Sequence, residues 1–416
     1  SGEGHVFRGK GDVDAAESGA ARMVEAWYRA PYLAHATMEP MNCTARVDQG
    51  RVEVWAPTQV PTMARDVAAR VAGVDAEDVT VHVPLLGGGF GRRLEVDYVA
   101  QAVRVAMDAG GAPVQLLWPR EEDTTHDFYR PMQLARLRAA LGPDGGPSGI
   151  RITAAGDAIT PRWLERALPQ LSGPVDLPDK TSAEGLFNLP YDFAHQHISH
   201  VATHNHVPVG FWRSVGHSHN AFFAESFMDE LAAAAGVDPM AFRLALLGHA
   251  PRYRAVLELV GRHSGWGGPL PAGRARGLAL HESFGSVVAQ VAEVSVERGQ
   301  PRVHRVVCAI DCGVAVNPNI VAQQMEGSVV FALTAALHGS VDIVQGRVQQ
   351  RNFPDHPLLT LAHAPKVETW VVSSHAAPGG VGEPGVPPLA PAVANALFAL
   401  TGRRLRGLPL NLASAR

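Results

Sequence analysis

The sequence predicts an α+β protein built from two mixed α/β domains, one over residues 1–249 and one over residues 250–416. Two observations support this fold class. Residues 51–93 alternate between strand-like and helix-like patterns and then reach a glycine-rich loop, which is typical of a βαβ unit. Residues 265–276 are rich in glycine and proline, as expected of a linker, and two strand patterns follow them.

The first domain begins with residues 1–50, which we expect to be a linker followed by extended sequence. A Gly-Pro-Asp-Gly-Gly turn at residues 142–146 predicts a hairpin, whereas residues 156–190 are proline-rich and carry no assignable pattern. An amphipathic helix closes the domain. In order, the predicted elements are strands at 44–47 and 51–56, a helix at 58–72, a strand at 79–83, a helix from 94 to about 110, strands at 114–118, 134–141 and 150–155, and a helix at 218–235.

The second domain carries a second glycine-rich segment, Gly379–Gly385, directly before an apolar helix that ends near Thr401. Asn317 and Pro318 mark the start of a longer helix, because asparagine caps a helix and proline suits its first turn. The remaining predicted elements are strands at 286–296 and 302–311, a hairpin at 341–350 and a strand at 367–373.

Composition excludes several classes of function. The chain has 46% hydrophobic and 18% charged residues with a net charge of −4, so it is globular and carries no basic surface for nucleic acid. We find no apolar run long enough to span a bilayer. Cys43, Cys308 and Cys312 are too few for a disulfide framework and lack zinc or iron–sulfur spacing, which predicts buried apolar side chains.

Histidines recur in one predicted strand, at His195, His197, His200, His204 and His206. Alternating positions of this kind can converge on a metal ion. A strand with histidines on its exposed face explains the same pattern, and no nearby cysteine or carboxylate completes a ligand set. We therefore favour the exposed face and predict no side-chain metal ligand.

Three further segments contain candidate functional residues, each with two interpretations. The loop Gly87–Arg93 is either a tight turn or a loop that lets backbone approach a ligand. Arg213, among aromatic residues, is either a packed surface arginine or a ligand contact. Glu383 is either a carboxylate stabilised by a helix N-terminus or a general base on a rigid turn.

Taken together, these segments resemble the molybdenum-binding subunit of the xanthine oxidase/aldehyde oxidase family, and most closely its isoquinoline 1-oxidoreductase subgroup. The matching phrases are Gly87–Arg93, Gly210–Asn220, Val306–Asn317 and Gly382–Leu410. The resemblance covers the chain from about Ala34 onward. It implies the two-domain fold of that large subunit, with the cofactor between the domains.

The resemblance also assigns roles to residues. Glu383 matches the glutamate that serves as base, and Gln59 matches the glutamine near the apical oxo ligand. The implied cofactor-binding residues are Gln59, Gly88, Gly89, Phe90, Gly91, Arg92, Arg213 and Gln324, and the implied substrate pocket contains Phe90, Trp212 and Val215. The cofactor implied is molybdenum-containing molybdopterin cytosine dinucleotide.

The implied function is the oxidation of an N-heterocyclic aromatic compound or an aldehyde, with water as the oxygen source. Leu94 and Val215 stand where purine-oxidising relatives place a glutamate and an aromatic residue, which argues against xanthine. Electrons are expected to pass to [2Fe-2S] clusters in a small partner subunit. An inactive relative that keeps the fold as a cofactor-binding or scaffold protein is the alternative.

One family motif, Met-Gly-Gln-Gly, is missing from this sequence. In the isoquinoline-type subgroup it lies in the N-terminal part of a longer polypeptide. We therefore expect a second polypeptide that carries the N-terminal half of the large subunit and completes the cofactor site. The expected location is periplasmic, with the cytoplasm as the alternative.

Overall fold

Three larger β-sheets carry the helices of this protein, in a computed structural model that describes residues 4–174 and 176–413. The strands are β1 (His5–Lys10), β2 (Arg22–Ala30), β3 (Asn42–Asp48), β4 (Arg51–Trp55), β5 (Val79–His82), β6 (Val114–Leu117), β7 (Gln133–Leu141), β8 (Pro147–Asp157), β9 (His195–Thr203), β10 (Arg274–Ser283), β11 (Ser286–Glu297), β12 (Gln300–Asp311), β13 (Ile343–Val344), β14 (Arg347–Val348) and β15 (Lys366–Val371). The helices are α1 (Val13–Ser18), α2 (Pro61–Ala72), α3 (Asp97–Ala106), α4 (Arg120–Thr125), α5 (Thr160–Ala167), α6 (Lys180–Ala183), α7 (His217–Ala235), α8 (Pro239–Ala245), α9 (Pro251–Ser264), α10 (Pro318–Leu337) and α11 (Leu389–Thr401). Sheets and helices mix along the chain, as the predicted α+β class requires.

The first four-stranded sheet has the order β5-β4-β3-β6, and its β4 and β5 run parallel with α2 between them in sequence. The predicted βαβ unit is therefore confirmed. Pro61 begins α2, and Gly73 ends it with a left-handed φ of 71°. Tyr98 and Val99 of α3 share a core with this sheet. The chain leaves β5 directly into the glycine loop, so the sheet and its helices anchor that loop.

The five-stranded sheet has the order β1-β9-β8-β7-β2 and recruits residues near the start of the chain. The expectation that residues 1–50 begin as a linker is wrong, because they contain β1, α1 and β2. Strand β1 is mostly exposed, so it carries no alternating apolar signal. Strand β2 buries Ala26, Tyr28 and Ala30 on one face, and two of these are small residues that weaken the pattern.

The second four-stranded sheet has the order β10-β11-β12-β15, and α11 packs against β10. Their contact is close enough that a Cβ atom on Gly277 would collide with the backbone of Ala396. One hydrophobic core reaches from Ala26 to Leu412 and includes residues of both predicted domains. The division between residues 249 and 250 stays a prediction.

Several elements differ from those predicted. Helices α5 and α6 occupy part of residues 156–190, for which no pattern could be assigned, and β10 begins inside the predicted linker. Helix α9 lies just after the predicted domain boundary. Helix α7 is buried on all sides from His217 to Ala232 and has no exposed stripe along that length.

Helix α10 corrects the expectation that no apolar segment could span a bilayer. Its length of 20 residues and mean hydropathy of 1.3 would allow it to cross a membrane by length and composition alone. Its contacts include α11 and β15, and residues such as Met325, Val329 and Leu333 are buried. One face of α10 therefore belongs to the protein core.

The cysteine and histidine predictions have different outcomes. Cys43, Cys308 and Cys312 are buried, as predicted. His200 in β9 is also buried, with Nε2 3.2 Å from Oε1 of Gln133, so the exposed-face interpretation is wrong for it. Within residues 4–174 and 176–413, no group of three or more histidine, cysteine or acidic side chains could hold a metal ion.

The last part of the described chain returns to β2. The amide of Arg29 donates to the carbonyl of Arg406 at 3.0 Å, and Leu408 donates to the carbonyl of Arg29 at 3.1 Å. Arg406 also forms an ion pair with Glu230 of α7 at 2.6 Å. Residues 406–408 therefore connect the five-stranded sheet to α7.

Candidate active site

A cleft of about 640 Å³ lies between the glycine loop, residues 211–215, α10 and the segment that precedes α11. It brings together most of the residues predicted from sequence: Gln59, Phe90, Gly91, Trp212, Arg213, Val215, Gln324 and Glu383. Gly88 borders a neighbouring cavity instead. Gly89 and Arg92 border neither of these two cavities.

The glycine loop is held from behind by Glu39 and Arg93. The amide of Gly87 donates to Oε2 of Glu39 at 2.7 Å, and Nη2 of Arg93 donates to the same oxygen at 2.9 Å. Arg93 is fully buried, and its Nε donates to the carbonyl of Gly88 at 2.7 Å while its Nη1 donates to that of Pro57 at 3.0 Å. The buried guanidinium group of Arg93 thus links the end of the loop to Gly88 near its start and to the neighbouring backbone at Pro57.

The glycines of the loop are required by close approaches to its neighbours. Gly91 has a φ of 106°, and a Cβ atom there would collide with the carbonyl oxygen of Phe211. A Cβ atom on Gly89 would lie 2.5 Å from Oε1 of Gln59. The same Oε1 accepts a hydrogen bond from the amide of Gly91 at 3.1 Å, which places the Gln59 side chain against the loop.

Phe90 forms part of an aromatic wall that we define as Phe90, Phe331 and Trp212. The ring of Phe331 lies 4.5 Å from that of Phe90 and 4.7 Å from that of Trp212, measured between centroids. Phe90 also has a left-handed φ of 55°, which is uncommon for a residue other than glycine and costs about 1–3 kcal/mol. The loop holds this strained residue so that its ring faces α10.

Arg92 has a structural position rather than a place in the cleft. It is buried, and its two Nη atoms donate to the carboxylate of Asp97 at 3.0 and 2.8 Å. The rings of Trp118 and Phe128 lie 5.5 and 5.0 Å from its guanidinium carbon. A cofactor contact by Arg92 stays a prediction, since its guanidinium group finds its partners inside the protein.

Arg213 connects three walls of the cleft. Its Nε donates to the carbonyl of Gly382 at 2.9 Å, and its Nη2 donates to Oγ of Ser328 at 2.9 Å and to Oε1 of Gln324 at 3.4 Å. Burial lowers the pKa of Arg213, and the nearby carboxylate of Glu383 opposes that shift. A cation beside a carboxylate is therefore built into the cleft.

The carboxylate of Glu383 is positioned by the backbone of Ser214. The amide of Ser214 donates to Oε1 of Glu383 at 2.8 Å, and the Ser214 hydroxyl donates to the backbone carbonyl of Glu383 at 2.8 Å. Ser214 and Val215 both have left-handed φ values, of 74° and 47°. For the β-branched Val215 this conformation is an outlier, so the turn stores strain beside the carboxylate.

His35 and Asp127 support the segment that carries Arg213. His35 Nε2 lies 2.7 Å from the carbonyl oxygen of Phe211, and its Nδ1 lies 2.7 Å from Oδ1 of Asp127. Burial acts to raise the pKa of Asp127, but His35 and Arg92 outweigh burial and lower it. An ionised Asp127 therefore orients His35 under the backbone of Phe211.

A second cavity of about 660 Å³ adjoins the cleft at the aromatic wall. Its lining is mainly apolar and includes Leu33, Val330, Leu358 and Leu359. The two cavities share Phe90, Trp212 and Arg213 among their lining residues. Phe90 and Trp212 of the aromatic wall thus border both cavities, whereas Phe331 borders only the second one.

The cleft has room for a flat polar group. Gly327 of α10 borders it, and a Cβ atom on Gly327 would meet no atom within 4 Å. A Cβ atom on Gly382 would come no closer than 3.9 Å to Oε1 of Gln324. Bare backbone next to the amides of Gln59 and Gln324 and the cation of Arg213 fits a ring system with many donors and acceptors, such as a pterin.

Comparison with known families gives two matches, both described as molybdopterin cofactor-binding domains. The first covers residues 2–246 and the second covers residues 258–365. The chain belongs to this family. The resemblance to molybdenum-binding subunits predicted from its motifs is confirmed.

Curated relatives of the molybdopterin-binding chain are oxidoreductase subunits. It is 34% identical to the isoquinoline 1-oxidoreductase beta chain of Brevundimonas diminuta over 92% of its own length and 49% of that relative. It is 28% identical to a nicotinate dehydrogenase subunit of Pseudomonas putida over 98% of its own length and 36% of that relative. The molybdopterin-binding chain thus spans about half the length, or less, of these relatives.

Solved structures show the same fold at low identity. Quinoline 2-oxidoreductase from Pseudomonas putida 86 matches with a TM-score of 0.82 and 13% identity, over 100% of this chain and 80% of the other. Carbon monoxide dehydrogenase from Oligotropha carboxidovorans matches with a TM-score of 0.78 and 14% identity, over 96% of this chain and 76% of the other. The predicted fold of the molybdenum hydroxylase large subunit is therefore confirmed.

Sequence reasoning missed several residues that build the site. Glu39, His35 and Asp127 carried no motif, although His35 and Glu39 lie in one short polar segment before β3. Phe331 was hidden in the apolar sequence of α10. The amide of Ser214 left no signal, because any non-proline residue supplies one.

Proposed function

We propose that this chain is part of a molybdenum-dependent oxidoreductase that hydroxylates an N-heterocyclic aromatic compound or oxidises an aldehyde, with water as the oxygen source. The observation that carries the proposal is the carboxylate of Glu383, held 2.8 Å from the Ser214 amide at the edge of the cleft that Arg213 and Gln59 also line. The relatives named above supply the reaction type, since they include an isoquinoline oxidoreductase and a nicotinate dehydrogenase.

The cofactor would lie along the polar side of the cleft. Gln59 and the loop backbone at Gly91 border one edge, while Arg213 and Gln324 border the other. When bound, a molybdenum cofactor supplies the oxygen that is transferred and takes up the electron pair from the substrate. We propose the cytosine dinucleotide form.

Glu383 is the proposed general base. Its Oε1 accepts the Ser214 hydrogen bond, and Oε2 has no protein partner in the described part of the chain that competes for it. A base must reach the proton that it removes while staying fixed in direction. The Ser214 amide fixes the direction, and Arg213 orders the backbone at Gly382 next to it.

The substrate would lie against the ring of Phe90, with Val215 and Leu94 at the cleft. Aromatic rings and aliphatic side chains favour a flat, weakly polar molecule. Val215 leaves space that a larger aromatic residue would fill. This lining supports an N-heterocycle or an aromatic aldehyde.

A second polypeptide is proposed to complete the cofactor site. The chain spans about half of the isoquinoline relative, and the apolar cavity beside Leu33 and Leu359 opens next to the glycine loop. We propose that the N-terminal half of the large subunit covers this side, and that a small subunit with [2Fe-2S] clusters removes the electrons. We also propose a periplasmic location, with the cytoplasm as the alternative.

Metal and nucleotide analysis of the purified protein tests the proposal. We expect molybdenum and cytidine monophosphate released by acid in equal amounts, together with two further polypeptides on a denaturing gel. Quinoline, isoquinoline, nicotinate and benzaldehyde should be assayed with a dye as electron acceptor. A preparation that contains its partner polypeptides but no molybdenum would instead support the inactive scaffold relative.

A further inference from the structure

A second carboxyl group lies behind Glu383, on the short segment that follows α6. The backbone of Gly216 packs against the side chain of Glu184, and the amide of Ser214 donates to Oε1 of Glu383 at 2.8 Å. Residues 214–216, which we name the base turn, therefore have one carboxyl group at each end. The strain at Ser214 and Val215 lies between these two contacts.

Glu184 is tightly placed. A Cβ atom on Gly216 would lie 3.1 Å from Cγ of Glu184, and Nδ2 of Asn220 donates to the backbone carbonyl of Glu184 at 2.8 Å. Oε1 of Glu184 is buried and has no hydrogen-bond partner among the residues that the structure describes. A buried carboxyl oxygen without a donor favours the protonated form of the acid.

Two buried histidines continue the cluster. Nε2 of His217 lies 3.7 Å from Oε2 of Glu184, and Nδ1 of His217 lies 2.8 Å from Nε2 of His281. Burial lowers the pKa of His217 to about 4 and that of His281 well below its usual value. Both imidazoles are therefore neutral at pH 7 and offer Glu184 no positive charge.

The charge balance around Glu184 is negative. Burial raises the pKa of Glu184 to about 8, and the carboxylates of Asp179 and Glu383 add to the rise, while the Gly216 amide and Lys180 oppose it. The titratable groups around it are Asp179, Lys180, His217, His281 and Glu383. At pH 7 Glu184 therefore keeps its proton, and it loses that proton in the mildly alkaline range.

We propose that Glu184 is a positioning residue for Glu383: its neutral carboxyl group holds the far end of the base turn, and its ionisation repels Glu383 and disturbs the contact with the Ser214 amide. The proposal deepens the proposed function, since Glu383 is the base there. The coupling between the two carboxyl groups is a property of the folded chain and can be measured without any turnover.

The test compares thermal unfolding of the purified protein, with its cofactor and accompanying subunits, from pH 5 to pH 9. The variants are Glu184→Gln, Glu383→Gln and the double variant, with Glu165→Gln as a control because Glu165 is exposed on α5. A carboxyl group whose pKa is raised by folding loses its stabilising effect as the pH rises toward the folded pKa. The Tm of Glu184→Gln should therefore rise relative to wild type from about pH 5 to about pH 8 and then level off.

The same rise should end at a lower pH in the Glu383→Gln background, because removal of that charge lowers the pKa of Glu184. A Tm difference as flat as that of Glu165→Gln overturns the proposal, and so does an identical curve in both backgrounds. If Glu184→Gln does not fold, the wild type and Glu383→Gln suffice. Their Tm difference must then change between pH 7 and pH 9, and a constant difference overturns the proposal.

Turnover provides a second readout. The wild-type kcat should show an alkaline limb near pH 8 that Glu184→Gln lacks and that the control variant keeps. Superimposable pH profiles of wild type and Glu184→Gln overturn the positioning role. If no heterocycle or aldehyde is oxidised by molybdenum-loaded protein, the proposed function fails, while the Tm curves still decide whether Glu184 and Glu383 are coupled.

Discussion

Glu383, the base that we propose, lies at the edge of the cleft, and its contacts limit how its carboxylate can move. Its Oε1 is fixed by the Ser214 amide, and the backbone before it is fixed by Arg213. A backbone amide is a donor that cannot rotate away, so the remaining oxygen keeps a constant direction. Such preorganisation is what proton abstraction requires.

Glu383→Gln tests this role directly. A carboxamide oxygen can still accept the Ser214 hydrogen bond, so we expect normal molybdenum content and a fall in kcat of about 10²–10⁴-fold. Glu77→Gln, on the exposed turn before β5, is the matched control and should leave kcat unchanged. A near-normal kcat in Glu383→Gln would remove the residue from the base role.

Sequence alone could single out Glu383 and Arg213, because each lies in a short motif with an unusual neighbourhood. It could not reveal what fixes them. The Ser214 amide lies 169 positions from Glu383, and Arg93 lies 54 positions from Glu39. Contacts of this range depend on tertiary structure, and one partner is often backbone, which leaves no trace in composition.

The glycine loop illustrates how an element can be rigid although it is rich in glycine. Gly88 and Gly91 adopt φ values above 100°, and Gly91 also touches the carbonyl of Phe211. Glu39 and Arg93 bind the loop from behind. The glycines therefore provide close approach, while the partly buried ion pair of Glu39 and Arg93 removes the flexibility that glycine would otherwise give.

Gly91→Ala tests the close approach, with Gly73→Ala as its matched control. Both glycines have positive φ, but a Cβ atom on Gly73 would meet nothing within 4 Å. Gly73→Ala should lower the free energy of unfolding by about 1 kcal/mol, the usual cost of the left-handed conformation. Gly91→Ala adds a backbone collision and should cost more and lower molybdenum content. Equal losses in chemical denaturation would contradict this interpretation.

Elements with strong periodicity were predictable, and those defined by packing were not. Helix α2 and the hairpin of β7 and β8 carry clear local signals. Strand β10 begins at Arg274, inside the predicted linker of residues 265–276, and Gly277, just after that stretch, lies so close to α11 that a Cβ atom would collide with the backbone of Ala396. Local sequence cannot distinguish the two uses of glycine.

At the scale of the whole molecule, the protein buries several histidines in neutral form. Burial lowers the pKa values of His200 and His217 to about 4, and His219 has no partner for either ring nitrogen in the described chain. The unfolded chain binds protons at these positions near pH 6.5, whereas the folded chain does not. The contribution of these histidines to stability is therefore lost as the pH falls from about 6.5 to about 4.

Acid unfolding of His200→Asn tests this behaviour. His200 and His217 should each account for about 3 kcal/mol of the free energy of unfolding that is lost between pH 6.5 and pH 4, because burial lowers each pKa from about 6.5 to about 4. The variant should lose less stability than wild type between pH 6.5 and 4 in urea titrations. His126→Asn is the control, since His126 is exposed, and should follow wild type. Parallel curves for wild type and His200→Asn would show that His200 does not carry this proton linkage.

The return of residues 406–408 to β2 has a consequence for synthesis of the chain. The ribosome synthesises β2 and α7 well before residues 406–408. During that interval Glu230 lacks its ion pair with Arg406, and the edge of β2 lacks its backbone hydrogen bonds. Domains tend to fold as they emerge, and an unpaired strand edge exposed in that interval invites association with other chains. We therefore expect the β2 edge of this protein to be prone to association until residues 406–408 have been synthesised.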